Sequence, residues 1–268
     1  MSVPALYCGA RPADAEDLRA LALLSYGHFT AMRVRDGAVQ GLDLHLARLR
    51  DGHAALFDAV LDEPALRNDL RAVLAGQGDA SVRITGFARD FDYRDPLKVV
   101  QPEWLISVGT AAPAAGAAPM ALKSFSFVRP LPQIKHVAML PLFHYRREAR
   151  RAGCDDALFV AGALPASPVI EGSVWNIGFW DGAVVHWPEG PALRGTCEGL
   201  LQRGFEALGV PQRTGMVNLE RARTLSAFTA NANGCGSVAS IDGVSLPRAP
   251  ALQGLLDQAL ATQAWVRI

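Results

Sequence analysis

Residues 122–136, LKSFSFVRPLPQIKH, lead from a strand-like run through a double-proline turn to a single lysine, Lys135. Leu122 to Val128 reads as a strand and Arg129-Pro-Leu-Pro-Gln-Ile134 as a turn. A helix is expected from about His136 to Ala152, closed by Gly153 as its C-terminal cap. Lys135 therefore stands at a strand-to-helix junction. A lysine in such a place is ordinarily solvated. The alternative is an amine held partly dehydrated, its pKa lowered so that it can form a Schiff base with a carbonyl. Composition bears on the choice. Of 26 basic residues only three are lysine (Lys98, Lys123 and Lys135) and the other 23 are arginine. An amine that must lose its proton cannot be replaced by guanidinium, so each lysine in such a chain invites scrutiny.

Upstream of this stretch, short strand-like runs alternate with helical ones. Tyr26 to Val34 is β-rich and ends at the turn pair Asp36-Gly37. Leu42 to Phe57 repeats apolar residues at helical spacing, and Pro64 opens a helix through Leu74. Val82 to Phe87 and Trp104 to Val108 read as strands. Residues 110–120, TAAPAAGAAPM, form the one low-complexity stretch and suit a linker. Downstream, Ala157 to Ala161, Val174 to Trp180 and Val184 to Trp187 are expected strands, the last two joined as a hairpin by Asp181-Gly182. Helices are expected over Thr196 to Leu208 and Leu252 to Ala264. The pattern is α+β in two domains, residues 1–112 and 121–268, with residues 113–120 as the link.

At 268 residues the chain can bury a sizeable core. Half of its residues are hydrophobic and 19% are charged, which argues against extended disorder. A formal net charge of +0 gives no footprint for nucleic acid or an anionic membrane. No apolar run approaches the ~20 residues of a membrane span, and the first residues lack a secretion signal. Cys8, Cys154, Cys197 and Cys235 show no CxxC spacing and are expected as reduced, mostly buried thiols of a cytoplasmic protein.

Several other places could carry chemistry. Glu171-Gly-Ser-Val-Trp-Asn176 puts a carboxylate at a strand entry, where it is either part of a plain turn or a buried acid that needs a cationic partner. Phosphate could sit at Leu193-Arg-Gly195-Thr196-Cys197, which runs into a helix, or at the small-residue loop Asn231-Ala232-Asn-Gly-Cys-Gly236. Arg48, on the helix carrying His45, is a third candidate. Gly234-Cys-Gly-Ser-Val-Ala239 matches GxGxxA but lacks the βαβ context of a dinucleotide site. Arg146, Arg147, Arg150 and Arg151 read as a solvated helix face, and the histidines show no metal-ligand spacing.

Taken in order, Ile134-Lys135-His136, Cys154-Asp-Asp-Ala-Leu-Phe159, Glu171-Gly-Ser-Val-Trp-Asn176 and Leu193-Arg-Gly195 resemble the class IV aminotransferase family, the fold-type IV pyridoxal phosphate enzymes. Phe29-Thr-Ala-Met-Arg-Val34 and His45-Leu-Ala-Arg48-Leu49 are similar to its N-terminal signature. Asn231-Ala232 through Ile241-Asp-Gly243 is similar to its ending. The resemblance spans residues 26–243. It implies two α+β domains like those of D-amino acid aminotransferase, with the active site between them, and a homodimer. It further implies that Lys135 carries the cofactor and shuttles the proton, and that Glu171 faces the pyridine nitrogen. Arg48, Asn176, Gly195, Thr196, Cys197, Asn231 and Ala232 would hold the cofactor, chiefly at its phosphate. The implied activity is transamination between an amino acid and a 2-oxo acid. 4-Amino-4-deoxychorismate lyase and a catalytically silent relative are the alternatives. Departures from the family pattern occur at Ala138, Leu140, Cys197-Glu198 and Tyr26-Gly-His-Phe29.

Overall fold

The computed structural model describes residues 3–111, 118–163 and 166–268. Residues 112–117, most of the expected linker, lie outside them. The chain forms two compact units. One takes in Met1–Pro113, Ile134–Ala138 and Trp265–Ile268, and the other Ala114–Gln133 and Met139–Ala264.

In the first unit the chain runs β1 (Ala5–Cys8), β2 (Arg11–Pro12), α1 (Ala15–Leu23), β3 (His28–Val34), β4 (Ala38–Gln40), α2 (Leu42–Phe57), α3 (Glu63–Leu74), β5 (Ala80–Ala88) and β6 (Pro102–Thr110). An antiparallel sheet has the order β2-β1-β6-β5-β3. Strand alternation sends Met32, Val34, Val82, Ile84, Ile106 and Val108 to one face, where Leu42, Leu46 and Leu49 of α2 and Leu66 and Leu70 of α3 complete the core. The opposite face carries Phe29, Ala31, Arg83 and Thr85, with Phe29 opposite Thr85 and Ala31 opposite Arg83.

The start of β3 is fixed from both sides. Its edge receives residues 134–138: the Phe29 N–H donates to Lys135 O (2.8 Å) and the Val137 N–H to Gly27 O (2.9 Å). The expected helix from His136 consequently begins only at Leu140. An unpaired strand edge satisfies the backbone groups of residues 135–137 better than an uncapped first helical turn would. On the core side, the buried His28 ring lies between Gly52 of α2 and Gly86 of β5, where a Cβ at either position would run into the imidazole. His28 Nε2 meets His53 Nδ1 at 2.9 Å, and His45 Nδ1 meets Thr30 Oγ1 at 2.7 Å.

The second unit contains β7 (Met120–Ser126), α4 (Leu140–Arg151), β8 (Asp156–Val160), β9 (Val169–Gly172), β10 (Asn176–Trp180), β11 (Val185–Pro188), α5 (Thr196–Ala207), β12 (Gln212–Gly215), α6 (Leu219–Ala222), β13 (Ser226–Asn231), β14 (Gly234–Ile241), β15 (Val244–Ser245) and α7 (Pro250–Ala261). A mixed sheet runs β12-β11-β10-β13-β14-β7-β8-β9, with β15 beside β14. Helices α5 and α7 pack through Cys197, Leu201, Phe205, Leu252, Leu256 and Ala259. Gly204 permits their close approach, since a Cβ there would strike the Ala259 backbone. The GxGxxA match lies within β14, paired antiparallel with β13, and so forms no dinucleotide loop. The expected hairpin of β10 and β11 is present. The chain then returns to the first unit, where β16 (Trp265–Arg267) pairs with β4. No helix among the described residues is long and apolar enough to cross a membrane.

Burial pushes the His28 and His45 pKa values down from 6.5 to about 3. His53 adds to the effect at His28, and the charges of Arg48 and Lys135 add to it at His45, partly opposed by Asp43. Each imidazole therefore binds its proton more readily in the unfolded chain. Below pH 6.5 the protein should lose about 1.4 kcal/mol per pH unit for each of them, until the pH nears the folded value. Urea unfolding at pH 7, 6 and 5 measures this, and a midpoint constant over that range would contradict it.

Candidate active site

The expected site residues fall into two sets, one in each unit. In the first unit, main-chain pairing with β3 places Lys135 on the sheet face opposite the α2 and α3 core. Its Nζ lies 5.0 Å from the centroid of the Phe29 ring, and Arg83 Cζ lies 3.7 Å from the same centroid. The two cationic centres are thus no farther apart than the sum of those distances. Burial lowers the Arg83 pKa, and its Nε donates to Thr85 Oγ1 at 3.2 Å. Among the described residues no carboxylate pairs with Arg83, which is unusual for a half-buried guanidinium. It borders an open groove of about 320 Å³ shared with Thr85, Leu105, Ser107 and Val137. Arg48 stands on α2 one turn from His45, and the charges of Arg48 and Lys135 both act on that imidazole. A larger open groove of about 520 Å³ beside Asp36, Arg71 and Arg267 contains none of the expected residues.

In the second unit Glu171 is buried in β9, and its charge is balanced within the chain. Arg129 Nη2 donates to Oε2 at 2.6 Å and Arg129 Nε to Oε1 at 3.3 Å, both side chains being shielded from solvent. The Leu193 N–H also donates to Glu171 Oε2 (3.3 Å), while the Leu193 carbonyl accepts from Asn176 Nδ2 (2.6 Å). Leu193 thus ties the carboxylate to the strand that carries Asn176. Two residues later Gly195 caps α5, packed so closely against Asn176 Oδ1 that no Cβ would fit. Glu198 closes the cap: its Oε2 accepts from the Gly195 N–H (3.2 Å) and its Oε1 from Arg194 Nη1 (3.0 Å). Burial raises the Glu198 pKa, against the opposing pull of Arg194. The N–H groups of Thr196 and Cys197 have no carbonyl partner within the helix, which suits an anion.

Other expected residues have duties of their own. The Cys197 side chain points into the core, its Sγ 3.8 Å from Cys235 Sγ, so only its backbone is available to a ligand. Asn231 Oδ1 accepts from the Asn233 N–H and shapes the turn containing Ala232. Within Glu171-Gly-Ser-Val-Trp-Asn176, Ser173 and Trp175 donate to the buried Asp156, which makes half of that motif structural.

The sequence profile of amino-transferase class IV matches residues 27–241. The chain belongs to the class IV aminotransferases. Solved structures with this fold include a hypothetical aminotransferase from Mycobacterium tuberculosis in its PLP-bound form. It is 20% identical, with a TM-score of 0.77, over 97% of this chain and 99% of that one. The branched-chain aminotransferase of Thermoproteus uzoniensis is 20% identical, with a TM-score of 0.81 over 96% and 94% of the two chains. The Escherichia coli branched-chain enzyme is 18% identical, with a TM-score of 0.81 over 95% and 92%. No curated protein matches the chain. This class IV aminotransferase therefore has the expected α+β architecture of fold-type IV.

Two residues of interest escape a reading of motifs. Arg129 looks like the opening of a proline turn, and nothing local links it to a residue 42 positions away. Arg83 leaves a fainter trace, as an arginine set between Val82 and Ile84 in an otherwise apolar strand. Replacing Arg129 with methionine strands a buried carboxylate and should cost about 3 kcal/mol. Adding Glu171→Leu should recover much of that loss. Denaturant unfolding of the single and double variants measures both effects, and a single-variant cost below ~1 kcal/mol would show that Arg129 is not the compensating charge.

Proposed function

We propose that this protein is a pyridoxal phosphate-dependent transaminase that exchanges an amino group between an amino acid and a 2-oxo acid. One observation carries the reading. On a single sheet face, an amine at the family's lysine position and a half-buried guanidinium, which has no carboxylate partner among the described residues, both lie over the Phe29 ring. The amine suits carbonyl chemistry, and the guanidinium suits the carboxylate that amino acids and oxo acids share.

The cofactor, when bound, supplies an electron sink for the charge that develops at the substrate carbon. Lys135 would be its covalent anchor, and the same amine would move the proton at the substrate carbon. Glu171, paired with Arg129, would face the ring nitrogen and favour its protonated form. Arg48, the backbone of Gly195, Thr196 and Cys197, and the Asn231-Ala232 turn bind the phosphate, with Asn176 fixing the approach of Gly195. The donor set supports this assignment: first-turn N–H groups on one unit, and on the other two cations near a histidine that stays neutral. Arg83 holds the substrate carboxylate. The active form is a homodimer in this reading, in which a second copy covers the exposed Leu140 and Phe143 of α4.

Mixing the holoenzyme with amino donors and pyruvate or 2-oxoglutarate should yield a new amino acid. Lys135→Ala should abolish the visible cofactor absorbance and lower turnover by at least ~10³-fold while the fold survives. Release of an aromatic amine and pyruvate without an oxo acid acceptor would identify a lyase instead. A protein that stays colourless with the cofactor would be a silent relative.

A further inference from the structure

Helix α1 is held in an unusual way. Of its nine residues only Asp17 is buried, Leu18 and Leu21 are half-covered, and Leu23 is exposed. Apolar packing therefore does little to fix it. An ion cluster does that work instead. Asp17 accepts from Arg11 Nη1 (2.7 Å) and Nη2 (2.6 Å), from Arg89 Nη2 (2.9 Å) and from the Asp14 N–H (2.8 Å). Arg89, at the end of β5, is braced in turn by both oxygens of Glu103 on β6. A fully shielded carboxylate with two guanidinium partners is a rigid fastening, and here it joins α1 to the sheet.

The helix borders an open groove. Leu21 follows Asp17 by four residues, so the two share one face of α1. The face that Asp17 fastens to the sheet thereby turns Leu21 to the groove bordered by Arg83, where Leu6, Leu105 and Val137 supply the other aliphatic walls. Arg83 offers charge at one side of this space, and the leucines and valine offer none.

We infer that Leu21 determines which side chains the enzyme accepts, by contacting the apolar tail of a substrate whose carboxylate Arg83 holds, and that Arg89 is the positioning residue that sets Leu21 through Asp17. This rests on the assignment of the Lys135 and Arg83 face as the substrate site. Side-chain choice would then lie in a helix remote in sequence from the motifs of the chemistry.

Two monocarboxylates without amine or oxo group, 4-methylpentanoate and 3-phenylpropanoate, test this by calorimetric titration of the holoenzyme. Relative to wild type, Leu21→Ala should shift the ratio of the two dissociation constants about tenfold towards the phenyl acid, and Leu21→Phe should shift it the other way. Leu21→Met should leave it unchanged. Arg89→Gln should bring the ratio towards one and speed hydrogen exchange of the α1 amides, an effect on selectivity that general destabilisation would not produce. Arg83→Gln should weaken both acids about equally, by at least ~10-fold. If Arg83→Gln abolishes binding but the ratio ignores every Leu21 variant, the role of α1 falls and the site stands. If wild type binds neither acid, or Arg83→Gln changes nothing, the substrate site is misplaced and the inference falls with it.

Discussion

Two main-chain hydrogen bonds, from Phe29 to Lys135 and from Val137 to Gly27, govern what the first unit can do. They convert five residues distant in sequence into an extension of the sheet edge. Pleat alternation then decides which side chains face the core and which face outward. Lys135 and Val137 leave on the side of Phe29 and Arg83, and His28 goes inward between two glycines. Side-chain rotamers can vary within this frame, but the amine cannot migrate to the other face without breaking the register.

The second unit solves a different problem, that of compensating a carboxylate buried away from water. Arg129 supplies the opposite charge and the Leu193 amide a further donor. The same peptide's carbonyl is then engaged by Asn176, which also abuts Gly195. Electrostatics at Glu171 and the geometry of the α5 terminus are therefore mechanically joined through one residue. Disturbance at either end reaches the other through a single peptide group.

Much of this architecture could be read from local pattern. Helix α2 occupies the span its apolar spacing dictates, and β3, β5, β6 and β10 fall where β-rich runs meet turn residues. The lysine and glutamate stood out because few residue types can do the chemistry expected of them. What escaped detection was long-range. Lys135 looks like a helix start because the strand edge that captures it lies more than a hundred residues earlier. Arg129 finds Glu171 across 42 positions, and Arg89 finds Asp17 across 72. Helix α1 escaped for a different reason. Its stability comes from a buried charge and a capping box, so its sequence lacks a continuous apolar stripe. The family ending Asn231-Ala232 was legible as a turn, but the turn duty of the Asn231 side chain was not.

Strand β16 carries a consequence for biosynthesis. Trp265–Arg267 closes the ribbon with Ala38–Gln40, and the Ile268 N–H reaches Gly37 O, so the first unit recruits residues translated after the whole second unit. Vectorial folding on the ribosome can assemble the five-stranded sheet early, but β4 must wait for its partner. Until then the nascent chain presents an unpaired edge, and its closing step is among the longest loop closures the molecule makes.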